Sequence, residues 1–384
     1  MKKVHPHRVL LAELSMAGVF HAGVNAGFIR LMHEVYPDAE IHFTAEKSHI
    51  AACRKRLPGA SVRYRKWPVF PKATKWSLPV RDILGCMYVV WLFLCSRKTD
   101  HLFITNLLPL THWCVWVLNG IFQRKICIAL HGQLEVFLPD SPLHLTKAYF
   151  RLHGFLFRRD WRTQYVILGV PVYETVKPLF NRKMKVIIID HPYDYGDNEA
   201  PVLPLEYPLR FGQVGVGNRG KGTENLFRLG ELLQDEIEAG QVELHLVGRL
   251  DPELRVVANR WVKWSVESLS EEDFAEKINS LHYTLLLRDA RSGQAVASGS
   301  FFDSVKYGKP FLSLDSAFVR HYTGRFPGGG EVFPTIEELA DAIRRICRDR
   351  DNGKYQELRE ALCLAQRGLS MQQIAESFKI QLKR

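Results

Sequence analysis

Short apolar runs alternate with stretches of helical spacing along almost the whole chain, and this alternation limits the fold more than any other feature of the sequence. Parallel strands need a crossover connection between neighbours, and a helix usually fills it, so the pattern specifies parallel sheets covered by helices. In the first half, strands are expected at 8–14, 39–44, 61–66, 101–105, 125–129, 165–168 and 185–189. A second series follows at 210–214, 243–247, 262–266, 284–287 and 311–314. Between the two series lies HPYDYGDNEAPVLPLEYP, rich in Pro, Asp and Gly, where proline removes ladder donors. Two Rossmann-like domains joined by a linker follow, which suits 384 residues, more than one core usually organises. The expected division is 1–195, a linker at 196–208, a second domain at 209–365, and a terminal helix at 366–384 with the option of crossing back. The cap signal Thr335-Ile-Glu-Glu opens the closing helices.

The formal charge of +11 is lopsided. Residues 1–200 hold 27 Lys+Arg against 15 Asp+Glu, which leaves 25 against 26 for the rest, so the first domain carries the basic excess. Seven scattered cysteines, without a CxxC pair, fit a reducing cytosol. At the N-terminus Glu13 interrupts an already short apolar run, which therefore reads as a buried strand and not as a signal peptide. The apolar stretch 83–95 is too short to span a bilayer. The uncharged stretch 102–122 contains Asn106, Pro109, His112 and Asn119, and divides better into a strand, a turn and a helix.

Two features of the second half carry chemistry. FGQVGVGNRGKGTENLF is a strand, a loop with Gly215, Gly217, Gly220 and Gly222, and a helix start. Backbone amides of such a loop can approach phosphate oxygens, with Arg219 and Lys221 supplying full charges. The loop lacks the GxxxxGK[ST] spacing of a P-loop, and a plain turn would use the same glycines. SGQAVASGSFFDSVKYGKPFLSLD then puts a small-residue turn and a helix start directly after YTLLLRD. The amides of Ser298, Gly299 and Ser300 suit a phosphate there and Asp303 a ribose hydroxyl, although Ser298 also reads as a simple N-cap.

The order of these pieces, from the KG loop through VELHLVGRL to DxxxxYGKP, resembles the donor domain of the large GT-B hexosyltransferase family. The likeness covers residues 209–316 well and the first half only in architecture. It implies an α/β fold of two Rossmann-like domains facing each other across a cleft, with Lys221 on the donor diphosphate and Asp303 on the ribose. Two positions depart from the family pattern. Val216 stands where relatives carry an arginine, so Arg219 would have to substitute, and Ala295 replaces the first glutamate of the acidic signature.

In the first half, SMAGVFHAGVNAGFIRLMHE follows the first strand, and its polar candidates for an acceptor or cleft contact are His21 and Asn25. The strand KICIAL ends in His131, the first choice for a contact at the reacting centre. For an inverting transfer His131, Glu135 or Glu13 would serve as base. His191, after the last strand, reads as cleft wall. The segment SVRYRKWPVFPKATKWSLPVR interleaves Arg63, Arg65, Lys66, Lys72 and Lys75 with Trp67 and Trp76, a mixture suited to the headgroup region of an anionic membrane. Single-stranded nucleic acid could use the same chemistry but is the less favoured partner.

The resulting expectation is a glycosyltransferase that moves a hexose from a nucleotide diphosphate sugar, of UDP or GDP type, to a glycan or lipid-linked glycan. The setting would be bacterial surface polysaccharide synthesis, at the cytoplasmic, inner face of the plasma membrane. No cofactor or metal is called for, since no DxD pair is present where a metal-dependent transferase needs one, DARSG holding only Asp289. The competing readings are a nucleotide-sugar epimerase of the same fold and a non-catalytic basic module for membrane or nucleic acid.

Overall fold

The computed structural model describes residues 6–19, 21–70, 77–138, 145–196, 201–288 and 294–383. The chain divides into two compact units, one made of Met1–Asp194 together with Ser370–Arg384, the other of Tyr195–Leu369.

The first unit has seven strands: β1 Arg8–Glu13, β2 Glu40–Ala45, β3 Val62–Lys66, β4 His101–Asn106, β5 Lys125–Leu130, β6 Gln164–Leu168 and β7 Lys185–Ile189. They form one parallel sheet in the order β3-β2-β1-β4-β5-β6-β7. Between them lie α1 Ala22–Val35, α2 Lys47–Lys55, α3 Ser77–Cys95, α4 Pro109–Phe122, α5 Leu145–Phe150, α6 His153–Leu156 and α7 Val170–Val176. Helices on both faces bury the central strand β4 throughout and most of β1 and β5. All six residues of β4 are inaccessible, and Leu11 of β1 sits between Phe43 and Phe103 in register.

The second unit has β8 Leu209–Val214, β9 Val242–Arg249, β10 Val262–Ser265, β11 Tyr283–Leu286, β12 Phe311–Leu314 and β13 Gly330–Phe333, parallel and ordered β10-β9-β8-β11-β12-β13. Its helices are α8 Thr223–Leu232, α9 Gln234–Glu238, α10 Glu271–Asn279, α11 Gly299–Lys306, α12 Ala317–Arg325, α13 Ile336–Asp349 and α14 Asn352–Gly368. Thr335 caps α13 as expected, its hydroxyl accepting from Glu338 N at 3.2 Å. The last helix, α15 Met371–Gln381, belongs to the first unit. There Phe378 packs 6.3 Å from Phe103, and Gln381 exchanges hydrogen bonds with both backbone groups of Ile188.

Three expectations need correction. The second sheet has a sixth strand, β13, hidden in the sequence because its approach, GGGEVF, reads as a turn; Gly330 pairs with Phe311 and Phe333 with Leu314. The stretch 196–208 is not an independent linker. Its described part is pinned to the second unit, with Leu205 in the core, Tyr207 Oη donating to Cys347 O at 2.7 Å, and Pro204 O and Pro201 O accepting from His282 and Arg359. The terminal segment starts at Ser370 and not at 366, because α14 runs on to Gly368 within the second unit. Of the apolar stretches, 102–122 separates into β4 and α4. The other forms α3, which is long and apolar enough to cross a membrane by length and composition but has an inner face packed in the first unit.

Candidate active site

In the second sheet the order reverses direction between β8 and β11, and a crevice opens at the carboxyl ends of these strands and β12. Open parallel sheets bind ligands at such a switch point, because the connections on either side of it leave in opposite directions. Gln213, Lys221, Arg288, Ser298, Ser300, Ser313 and Phe318 are among the residues lining it. Its enclosed part is only about 40 Å³, room for a water or two, so a larger ligand would lie along the open mouth.

Lys221 occupies the centre of this crevice. The chain leaves β8 through Gly215 (φ +91°), makes a short turn at Arg219–Lys221, and enters α8 through Gly222 (φ +67°), where any side chain would run into Leu287 O. This path folds the Lys221 side chain back over the strand end, where Nζ donates to Val214 O at 3.1 Å and to Ser300 Oγ at 3.3 Å. Burial pushes the ammonium pKa down to about 8. Asp303 pulls it the other way, and Arg288 adds to the depression. Lys221 and Asp303, 82 positions apart in the chain, are therefore within electrostatic reach of one another. Ser298 caps α11 by accepting from Phe301 N, and the helix start formed by Ser298, Gly299 and Ser300 lies on the crevice wall.

Three of the anticipated donor contacts take other roles. The N–H groups of Gly215 and Gly217 donate to Val247 O and Arg249 O, each at 2.8 Å, so they extend the pairing with β9 and do not face a ligand. Arg219 is exposed and paired with Glu224 at 2.8 Å. The guanidinium that does line the crevice is Arg288, with Nε donating to Gly220 O at 2.9 Å. Sequence reasoning passed over Arg288, Gln213 and Ser313. The position of Arg288 immediately after the strand YTLLL was a usable signal, since strand carboxyl ends form the site in such sheets. Asp289 lies outside the described residues, and Ala295 is buried.

In the first unit, three anticipated histidines converge at the carboxyl ends of the strands. His21 sits in left-handed conformation (φ +61°) at the start of α1, His131 follows β5, and His191 follows β7. The His131 ring lies 4.6 Å from that of His21 and 6.0 Å from that of His191, edge to face in both cases. Burial lowers the His131 and His191 pKa values to about 3, with His21 adding to the effect on the first and His131 on the second. Both rings are therefore neutral at physiological pH. They suit hydrogen bonding to a sugar or acceptor better than proton abstraction, for which a pKa near the working pH is most effective.

The other candidates in this unit act as supports. Glu13 is fully buried. Its Oε1 accepts from Ser15 N, Ser15 Oγ and Met16 N at 2.9–3.1 Å, and its Oε2 from Asn25 Nδ2 at 3.2 Å and Thr105 Oγ1 at 3.4 Å. Asn25 is equally buried and joins Glu13 to His49, whose Nδ1 pairs with Gly18 O at 2.9 Å, so it braces the loop before α1. From Ser15 the network continues through Asn106 and Gln133 to the backbone N–H of His131. Glu135 lies in the short turn Gln133–Phe137 that follows.

The basic and aromatic stretch that begins in β3 is partly folded against α3. Arg63 pairs with Glu40 at 3.0 Å, Arg65 stacks 4.4 Å over Trp91, and Trp67 packs on Tyr88. Lys66 and Trp67 line a surface groove with Phe70. Lys72, Lys75 and Trp76 lie outside the described residues.

No protein-family model matches the sequence, and no curated protein does. Solved structures do. HepE of Anabaena, in complex with UDP and glucose, superposes with a TM-score of 0.70 at 13% identity over 98% of this chain and 99% of that one. Sucrose-phosphate synthase of Thermosynechococcus elongatus gives 0.68 at 14% over 98% of each chain. The lipopolysaccharide outer core galactosyltransferase WaaB gives 0.62 at 12% over 98% and 99%. At such identities the likeness shows the fold, and that fold is GT-B.

Proposed function

We propose that the chain is a glycosyltransferase that moves a hexose from a nucleotide diphosphate sugar to a glycan or lipid-linked glycan acceptor. The observation that carries this reading is the grouping of Lys221, Arg288, Ser300 and Asp303 at the switch point of the second sheet. Lys221 and Arg288 meet the diphosphate, the start of α11 adds its backbone amides, and Asp303 holds a ribose hydroxyl. The superposed HepE structure holds UDP and glucose, which favours a uridine donor here. His21, His131 and His191 form the polar wall that receives the transferred sugar or the acceptor. The acceptor is presented at an anionic membrane surface, on the cytoplasmic side, to which the basic first unit is drawn.

The test is donor turnover with the fold monitored in parallel. Lys221→Ala and Asp303→Ala are each expected to abolish transfer and donor hydrolysis while melting as cooperatively as the parent. Normal turnover in both variants would remove the basis for the reading. Because two cations and a helix start meet the diphosphate charge, activity is expected to survive EDTA; abolition with rescue by magnesium would overturn that part.

A further inference from the structure

The first unit turns a continuous apolar face outward. Along α3 the exposed residues are Val80, Ile83, Met87, Val90 and Leu94, spaced three and four apart, so they form one stripe about 21 Å long. Leu94 and Met87 are 67% and 57% exposed, whereas the opposite side of the helix, with Tyr88, Val89, Leu92 and Phe93, is sealed in the core. The neighbouring helix α4 continues the face with Val117 and Ile121, 52% and 70% exposed. At α6, Phe155 stacks on Trp113 at 4.7 Å, and Trp161, 57% exposed, stands just beyond. A soluble helix normally hides such a stripe, so this one is built to meet something apolar.

Charge identifies the partner. Segment 77–165 holds ten Lys+Arg and five Asp+Glu. Three of these acids are withdrawn from the surface: Asp82 accepts from the first amides of α4, Asp100 pairs with Arg8, and Asp160 accepts from Thr163 N and Tyr165 Oη. Arg81 is buried as well, but most of the bases stay outside. Arg158, Arg159 and Arg162 are exposed at the edge of the apolar face, Arg159 lying 3.7 Å over the Phe155 ring. Trp116, Val117, Gly120 and Trp161, with Arg159, Arg162 and the buried Asp160, line a mostly apolar groove of about 230 Å³.

We propose that the first unit docks on an anionic phospholipid bilayer through the outward face of α3 and α4, with Arg158, Arg159 and Arg162 at the phosphate level. The aliphatic stripe enters the acyl boundary, and Trp161, an amphipathic ring, sits at the interface. This places the contact on α3, α4 and the α6 region, with β3 reduced to a flank through Arg65, which stacks on Trp91 of α3. It rests on the membrane setting read above, and not on the transfer chemistry.

The test is flotation of the intact protein with vesicles of phosphatidylcholine alone or mixed with phosphatidylglycerol, with UDP binding measured on the same samples. The parent is expected to float with the mixed vesicles and to be released by salt. Ile83→Ser/Met87→Ser/Leu94→Ser and, separately, Arg158→Ser/Arg162→Ser are expected to lower binding at least tenfold without altering melting or UDP affinity. All these positions are exposed, so the variants should fold. Unchanged flotation of both variants would overturn the proposal, as would equal binding to vesicles lacking phosphatidylglycerol. A dimer that the stripe variant dissociates, with vesicle binding unaffected, would assign the face to a second copy instead. Loss of UDP binding in the parent would count against the donor reading and leave the docking result standing.

Discussion

Replacing Lys221 by methionine should separate binding from folding, because the two effects have opposite signs. In the folded chain the Lys221 ammonium is held by two neutral oxygens, Val214 O and Ser300 Oγ, and burial has already lowered its pKa to about 8. Removing it orphans neither group, since Ser300 Oγ itself donates to Val214 O at 2.8 Å. Methionine has a similar length and needs no hydration, so stability should stay within about 1 kcal/mol of the parent or rise. Donor affinity should fall. A charge-assisted hydrogen bond to a diphosphate contributes about 1.5–3 kcal/mol, roughly 10- to 150-fold in Kd. Titration calorimetry with UDP and thermal melting of Lys221→Met measure both terms. The pH dependence follows from the same group. Above pH 8 the free protein loses the charge, so UDP Kd in the parent should rise by up to about tenfold per pH unit, and Lys221→Met should lack that slope. Folding responds oppositely: between about pH 8 and 10.5 the unfolded lysine keeps a proton that the folded one has released, so its contribution to stability grows with pH across that window. UDP affinity within twofold of the parent, or a loss of stability above about 2 kcal/mol, would refute the assignment.

Three further outcomes are expected. Arg288→Ala should weaken UDP binding by roughly tenfold or more, while Arg219→Ala, whose guanidinium pairs with Glu224 at the surface, should change it less than about twofold. His131 and His191 remain neutral in the folded chain down to about pH 3, whereas an unfolded histidine takes a proton near 6.5; stability should therefore fall as pH drops through that window. Each ring contributes up to about 1.4 kcal/mol per pH unit, so His191→Asn should show a shallower loss of urea midpoint between pH 7 and 5 than the parent. Phe378→Ala should cost about 3–5 kcal/mol in chemical unfolding of the first unit, since the ring is fully buried and touches β4.

The alternation of short runs was enough to locate seven strands of the first sheet and five of the second, because the inner strands, buried on both faces, are largely apolar and the edge strands β3 and β10 follow at the same spacing. It missed β13, a four-residue strand entered through glycines, whose pairing with β12 the local pattern does not announce. Lys221 and Asp303 were legible because their positions relative to the strand and helix starts fix where they point. Arg288 was not, although its position after a strand end allowed it, because the glycine loop drew attention to its own arginine. The fates of Gly215 and Gly217 depend on a neighbouring strand, β9, which local sequence cannot reveal. The hydrogen bonds of Glu13, read as a candidate base, and of Asn25, read as a cleft contact, were hidden for the same reason: their partners Thr105 and His49 come from β4 and α2.

The return of α15 to the first unit also orders events in time. A chain made from its N-terminus forward has β1 to β7 in hand early, but the helix that packs on α1 and seals Phe103 is made only after the whole of the second unit. The second unit, whose residues are continuous, can complete its core while the first still waits with one flank uncovered. A stop codon in place of Ser370 would therefore spare the donor site and injure the half of the protein that was translated first.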